Sequence, residues 1–197
     1  MPFTLVTDAM VGFNPDEEYV YVSVGNETWI VGKIRLEEFM KEAKVEAYKV
    51  LKTVNGSEFE GKKYTHPLLD NISGLEKISK QENYHITVTE KFVDVNTGTG
   101  LVHLSPANGE NDYNIAVKRK VEIFSPIDDE VKFTEDAGKY AGMFVRDADE
   151  EIVQDIKEKN ALVRIGKIQH KYPLCWRSKH KLVWLARREY FYMLDRL

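Results

Sequence analysis

Apolar and polar positions alternate or recur along the chain in runs that define its elements. Asn14-Pro15-Asp16 is a turn signal, and Tyr19 to Val24 after it is rich in β-branched and aromatic residues. Gly25-Asn26 separates that run from Thr28-Trp29-Ile30-Val31, a spacing that predicts a tight hairpin. Leu36 to Lys44 reads as a short helix, with Leu36, Phe39, Met40 and Ala43 on one stripe. Strand character returns at Tyr48 to Val54, and residues 55–83 read as irregular. Tyr84 to Val95 alternates like a strand, Gly98-Thr99-Gly100 interrupts it, and Leu101 to Leu104 resumes. Helices are predicted over Asn111 to Lys120 and Asp149 to Lys159, the second with Ile152, Val153 and Ile156 facing inward. Leu162 to Ile168 reads as a strand and Arg187 to Leu197 as a terminal helix carrying Tyr190, Phe191 and Leu194. Repeats and low-complexity tracts are absent, so one strand-dominated domain with peripheral helices is expected.

Composition narrows the class. A chain of 197 residues, 43% hydrophobic and 30% charged, is sized for one core with an appendage. It has no apolar run long enough for a membrane span and no signal-peptide pattern at its start. With one cysteine, Cys175, an internal disulfide is impossible, and a cytoplasmic setting is expected. The net charge of -4 hides an asymmetry: from Lys159 to Arg188 there is no acidic residue, while Arg177, Lys179, Lys181, Arg187 and Arg188 cluster near aromatic side chains. That segment, 159–197, reads as a basic, aromatic extension suited to a polyanion or, equally, as a solvated basic face.

Candidate chemistry concentrates in residues 98–113, where a glycine turn, an apolar strand with His103, a Pro-Ala-Asn-Gly loop and Asp112 fall within sixteen positions. Gly98-Thr99-Gly100 is not a dinucleotide fingerprint, for no third glycine opens a helix. Asn96-Thr97-Gly98 lacks the carboxylate of an aspartic protease motif. Cys175-Trp176-Arg177-Ser178 is half of a metal-binding pair, and His170 and His180 do not complete a zinc spacing, so no metal or cofactor is expected. Taken alone, His103 fits a hydrogen-bonded core histidine and Asp112 a first-turn helix carboxylate as well as site residues.

Four stretches read together change that balance. Met1 to Leu5 resembles the later part of the Thr-Thr-Thr-Pro-Trp-Thr-Leu motif of isoleucyl-tRNA synthetases. Gly98 to Tyr113 resembles their Gly-Thr-Gly-x-Val-His-x-Ala-Pro-x-x-Gly-x-x-Asp-Tyr segment. Gly56 to Gly61, with Tyr64 and His66-Pro67, is similar to the loop between those motifs, and Tyr172 to Arg177 resembles Tyr-Pro-His-Cys-Trp-Arg, where the family's chain returns to its catalytic core. Order and spacing agree throughout.

The resemblance implies an editing domain, residues 1–197, excised from a larger synthetase, mainly β with peripheral α-helices around a closed six-stranded β-barrel. It implies hydrolysis of mischarged Val-tRNA(Ile) with the 3′ end of tRNA and the rest of the synthetase as partners, and no membrane. By position, Asp112 would bind the α-ammonium of the esterified amino acid, and His103 would wall the pocket against isoleucine. Met1, Pro2, Phe3 and Thr4 would line it near the terminal adenosine. Thr4, with backbone amides from Gly98, Thr99 and Gly100, would hold the water and oxyanion, and neither His103 nor Asp112 would act as nucleophile. Met1 replaces the last threonine of the motif, and Asp8, which the resemblance also implies to be substrate-binding, stands where bacterial members have asparagine. A valyl or leucyl editing domain, or a non-catalytic tRNA-binding module, are the competing readings.

Overall fold

Pro2 begins a 3-10 helix, Pro2–Thr7, at a first-turn position where its missing N–H costs nothing. In this computed structural model, which describes residues 1–166 and 171–194, the helix buries Phe3 and Val6 and hands the chain to β1, Met10–Phe13. The elements that follow are β2 (Glu18–Val24), β3 (Glu27–Gly32), α1 (Leu36–Glu42), β4 (Lys49–Asn55), α2 (Leu75–Ile78), β5 (Ile86–Thr89), β6 (Val102–Leu104), α3 (Glu110–Arg119) and α4 (Asp149–Glu158). Short 3-10 turns at Gly56–Phe59 and Leu69–Asn71 punctuate the otherwise irregular stretch after β4.

Two three-stranded sheets carry the fold. In the first, β1 lies centrally, parallel to β5 (Met10 opposite Ile86) and antiparallel to β6 (Val11 opposite His103). Its apolar face packs Met10, Val88 and Leu104 with Phe3, Val6 and Ile152. In the second, β2 lies between β3 and β4, and Val20, Val22 and Val31 receive Phe39 and Met40 of α1. The predicted hairpin is formed, with Val24 opposite Glu27 and Gly25 at φ +58, a value for which glycine pays no steric cost. A third cluster joins the sheets: Phe13 stacks on Phe59 at 4.1 Å between ring centres, with Tyr19 edge-on at 5.0 Å.

The expected closed six-stranded barrel is absent, and the fold is mixed α/β rather than mainly β. At the place where β3 and the segment before β6 approach, only one backbone bond is made, from Gly32 N–H to Thr99 O at 2.7 Å. Gly100 turns left-handed there, at φ +78, and a Cβ on it would stand 3.2 Å from the Gly32 Cα. The segment therefore touches β3 at this point without adding a paired strand. Along the outer edge of β5, residues 61–64 bond to Thr87 and His85 but form a single bridge, Lys63 to Ile86, not a strand.

Other expectations shift as well. The strand read over Tyr84 to Val95 is confined to Ile86–Thr89, because Val93 N–H turns back to Glu90 O and Asp94 caps Asn96. Residues 162–166 of the strand read at Leu162 to Ile168 have no regular structure, and Lys167 and Ile168 lie outside the described residues. The terminal helix is not formed over 187–193, and Asp195 to Leu197 are again outside. Tyr190, Phe191 and Leu194 are largely exposed, so among the described residues the stripe is not buried against any surface. No helix among the described residues is long and apolar enough to cross a membrane.

Candidate functional site

Strand alternation on β6 sends Leu104 into the core and His103 to the opposite face, where its side chain is 35% exposed. The N-terminal 3-10 helix then brings Thr4 and Asp8 against the ring. Thr4 Oγ1 lies 3.2 Å from His103 Nε2, and Asp8 Oδ1 lies 3.3 Å from His103 Nδ1. Thr4 is tied by its hydroxyl to Met1 O at 2.8 Å. Asp8 is buried, and its second oxygen accepts a hydrogen bond from the Tyr64 hydroxyl. Burial first, and then the Asp8 charge, push the Tyr64 pKa above the usual range, so Tyr64 remains the donor.

Two histidines stand behind this carboxylate. His66 Nδ1 accepts the Leu68 N–H at 3.1 Å, which leaves Nε2 to donate to Leu5 O at 2.9 Å and fixes a neutral tautomer. Burial lowers its pKa, although Asp8 Oδ2 is 3.9 Å from Nε2. His85 stacks on His66 at 5.1 Å and is pushed down to about 4, first by burial and then by His66.

Asp112 lies in the first turn of α3 with its carboxylate turned back on the preceding loop, where Oδ2 accepts the Ser105 N–H at 2.8 Å. Gly109 makes room for it: a Cβ at that position would stand 2.9 Å from Asp112 Oδ2. Burial raises the Asp112 pKa, opposed by the Ser105 N–H and by His103, while Asp8 adds to the rise. A hydroxyl–amide knot of Thr7, Ser105 and Asn108, with contacts of 2.6 to 3.0 Å, holds the loop before α3 against the N-terminal helix.

The structure therefore brings Thr4 and Asp8 against His103, with Met1 O holding the Thr4 hydroxyl and Asp112 bonded to the Ser105 N–H two residues after His103. Phe3 instead points into the core, 1% exposed, and its N–H donates to Asp149 Oδ1 at 2.7 Å. The glycine loop does not join the cluster. Gly98 O accepts from Arg35 Nε at 3.3 Å, Thr99 O from Gly32, and Gly100 O from the Tyr19 hydroxyl at 2.9 Å. Gly100 N–H is engaged by Thr97 O at 3.0 Å, so it is not poised for an oxyanion. Gly98 and Thr99 line a neighbouring cavity of about 830 Å³ with Leu5, Leu101 and Phe39. A pocket of about 290 Å³ is lined by the loop before α3 and by Tyr113, Trp184 and Phe191.

Among the basic candidates, Arg177, Lys179 and Lys181 fall on a small hairpin turn closed by a Leu174–Lys181 bridge. Arg177 lies over the exposed Trp176 ring at 5.0 Å, and Lys181 over Tyr172 at 5.9 Å. Arg187 pairs with Asp129, and Arg188 is exposed. His180 is exposed on the same turn, whereas His170 lies outside the described residues. Tyr64, Arg35 and the Thr7–Ser105–Asn108 knot were not legible as site components. Arg35 is 7% exposed, bonded to Glu38 and Glu42, and its only signal is a helix-start arginine with acids three and seven residues on.

Comparison with solved structures defines the class. The fold is shared with aminoacyl-tRNA synthetase editing domains: the GlLeuRS-CP1 crystal structure matches with a TM-score of 0.63 at 16% identity, over 85% of this chain and 82% of that one. The P. falciparum cytosolic leucyl-tRNA synthetase editing domain matches with a TM-score of 0.57 at 15% identity, over 80% and 74%. No protein-family model matches the chain. Sequence gives the particular family: from end to end the chain is homologous to a segment of the isoleucine–tRNA ligases. It is 41% identical to that of Methanocaldococcus jannaschii over all of this chain and 19% of the relative, and 40% identical to that of Sulfolobus acidocaldarius over all of this chain and 18% of the relative. The chain thus spans about a fifth of the length of the curated relatives it matches.

Proposed function

We propose that this domain hydrolyses the aminoacyl ester of Val-tRNA(Ile) and spares Ile-tRNA(Ile). The observation that carries the reading is the setting of His103 against Thr4 and Asp8 of the N-terminal segment, with Asp112 bonded to the Ser105 N–H two residues after His103. Asp112 binds the α-ammonium through a charge-assisted hydrogen bond, using the oxygen that Ser105 leaves available. The His103 ring stands against the amino-acid side chain. Water adds to the ester carbonyl, the bond to the ribose oxygen breaks, and the proton released from water is taken up by that leaving oxygen. An aminoacyl ester is already activated, so positioning of water by Thr4 and the ribose hydroxyl suffices.

The need for such a site follows from pocket energetics. One methylene in an apolar pocket is worth only about 1–3 kcal/mol, a general limit for which the Ile/Val choice of this same family is the standard illustration rather than a result of this structure. A second pocket that admits valine and rejects isoleucine by contact with a fixed ring restores the difference. The remainder of the synthetase is the partner in cis, and the exposed Trp176, Trp184 and Phe191 are the surface it would cover. The basic turn at Arg177 to Lys181 supports contact with tRNA phosphates.

Incubating the domain with Val-tRNA(Ile) and Ile-tRNA(Ile), each labelled on the amino acid, tests the reading. Valine release with isoleucine retained is expected. Salt-sensitive tRNA binding without release of either amino acid would favour a non-catalytic tRNA-binding module, and equal loss of both would remove the sieve.

A further inference from the structure

Both nitrogens of the His103 ring have a polar neighbour, and each neighbour is itself anchored. Nε2 meets Thr4 Oγ1 at 3.2 Å, and Thr4 is fixed to Met1 O at 2.8 Å. Nδ1 meets Asp8 Oδ1 at 3.3 Å, while Asp8 Oδ2 is held by the Tyr64 hydroxyl. A histidine on an edge strand with 35% of its side chain exposed has a broad, two-fold preference about its outer torsion, so a polar partner is needed to choose the ring orientation. Here the choice is made by Asp8, whose side chain is 4% exposed and cannot swing away. A carboxylate oxygen facing Nδ1 requires the proton there; Nε2 is then an acceptor beside a Thr4 hydroxyl whose one proton goes to Met1 O, so the bond to Asp8 is the tether that sets the ring.

We infer that Asp8 is a positioning residue for specificity: it locks the plane and tautomer of the His103 ring, so that the ring acts as a fixed wall at the amino-acid site. This rests on the editing function proposed above. A ring free to rotate gives way to the extra methylene of isoleucine, whereas a ring held through Nδ1 by a buried carboxylate does not. Tyr64 enters as the strut that holds the carboxylate. The charged and titratable groups around Asp8 are those of the N-terminal helix, β6 and the loops beside β5: Tyr64, His66, Tyr84, His85, His103 and Asp112. Among these, only Tyr64 and His103 place a side-chain polar atom within hydrogen-bond distance of its carboxylate.

The test compares Asp8→Ala, Asp8→Asn and Tyr64→Phe in the full 197-residue chain, and reads the ratio of kcat/KM for Ile-tRNA(Ile) to that for Val-tRNA(Ile). Asp8→Ala should raise this ratio at least tenfold, Tyr64→Phe by a smaller factor, and Asp8→Asn little, since its amide oxygen can still accept from Nδ1–H. In parallel, nitrogen-15 NMR of the His103 ring should show one Nδ1–H tautomer in the parent chain and in Asp8→Asn, and averaged nitrogen shifts in Asp8→Ala. An unchanged ratio in Asp8→Ala, or a ratio equally raised by Asp8→Asn, overturns the assignment. If the parent chain releases neither amino acid, the editing function fails, and the ring NMR still decides whether Asp8 fixes the tautomer. Should Asp8→Ala not fold, Tyr64→Phe carries the test, and a ratio and ring spectrum both unchanged in it overturn the proposal.

Discussion

Replacing Asp112 with Asn separates recognition from folding. The amide keeps the size of the carboxylate and one oxygen for the Ser105 N–H, which donates at 2.8 Å, but removes the charge that an ammonium would meet. A hydrogen bond to a charged group contributes about 1.5–3 kcal/mol. At about 1.4 kcal/mol per tenfold, kcat/KM for Val-tRNA(Ile) should fall roughly 10- to 150-fold. Stability should move the other way. Burial raises the Asp112 pKa in the folded chain above its unfolded value, so the ionised carboxylate costs folding energy at neutral pH, and that cost disappears as pH falls through the folded value and below the unfolded one. The variant's Tm should therefore equal or exceed that of the parent at pH 7, with the gap closing under acid. Steady-state deacylation and thermal melts at pH 7 and pH 3.5 measure both. Turnover within twofold of the parent would refute the ammonium role. A variant that melts well below the parent at pH 7 would refute the burial reasoning.

Four further outcomes follow from the same geometry. His103→Ala should admit the isoleucyl ester, so that Ile-tRNA(Ile) is deacylated at a rate approaching that of Val-tRNA(Ile) in the same assay. Gly109→Ala places a methyl 2.9 Å from Asp112 Oδ2 and should reduce valine release at least tenfold with the α-helix content by circular dichroism retained. His85 is neutral in the folded chain with a pKa near 4, below its unfolded value near 6.5; its contribution is complete above pH 6.5 and is lost as pH falls towards 4. His85→Asn, whose side chain tolerates the φ of +49 found there, should flatten the decline of Tm over that interval. Removing Arg177 and Lys179 together should reduce the salt slope of tRNA binding by about two if both meet phosphates, and leave it unchanged if this turn only faces the rest of the synthetase.

The elements most legible in the sequence were those whose local pattern and final environment agree. The β2–β3 hairpin is set by Gly25-Asn26 between two alternating runs, and α4 by an apolar stripe that does meet the core at Ile152 and Ile156. β1 escaped notice because Met10-Val11-Gly12-Phe13 is short and lacks alternation, being flanked by a strand on each side. The terminal stripe at Tyr190 to Leu194 misled for the opposite reason: its period is helical, yet nothing within the described residues covers it. Barrel closure depends on long-range pairing across Gly32 and Gly100, and a glycine at positive φ ends that pairing after one bond.

In the site, His103 and Asp112 stood out because unlike chemistry was crowded into one segment. Ser105, which orients Asp112, belonged to that segment but lacked any distinguishing type. Asp8 belongs to the substrate-binding set that the resembling motif implies, but its link to Tyr64 spans 56 residues, and no local pattern records it. Phe3 and the glycine loop were assigned to the pocket by position, whereas burial of one and internal bonding of the other direct them to the scaffold.

The central claim is that Asp112 and His103 hold opposite ends of one valyl group. A crystal structure of the domain with a non-hydrolysable amide analogue of valyl-adenosine tests it most directly. The account predicts the ammonium within hydrogen-bond distance of the Asp112 carboxylate and the isopropyl group in van der Waals contact with the His103 ring. An analogue seated instead in the cavity beside Gly98 and Thr99, with its ammonium distant from Asp112, would contradict it.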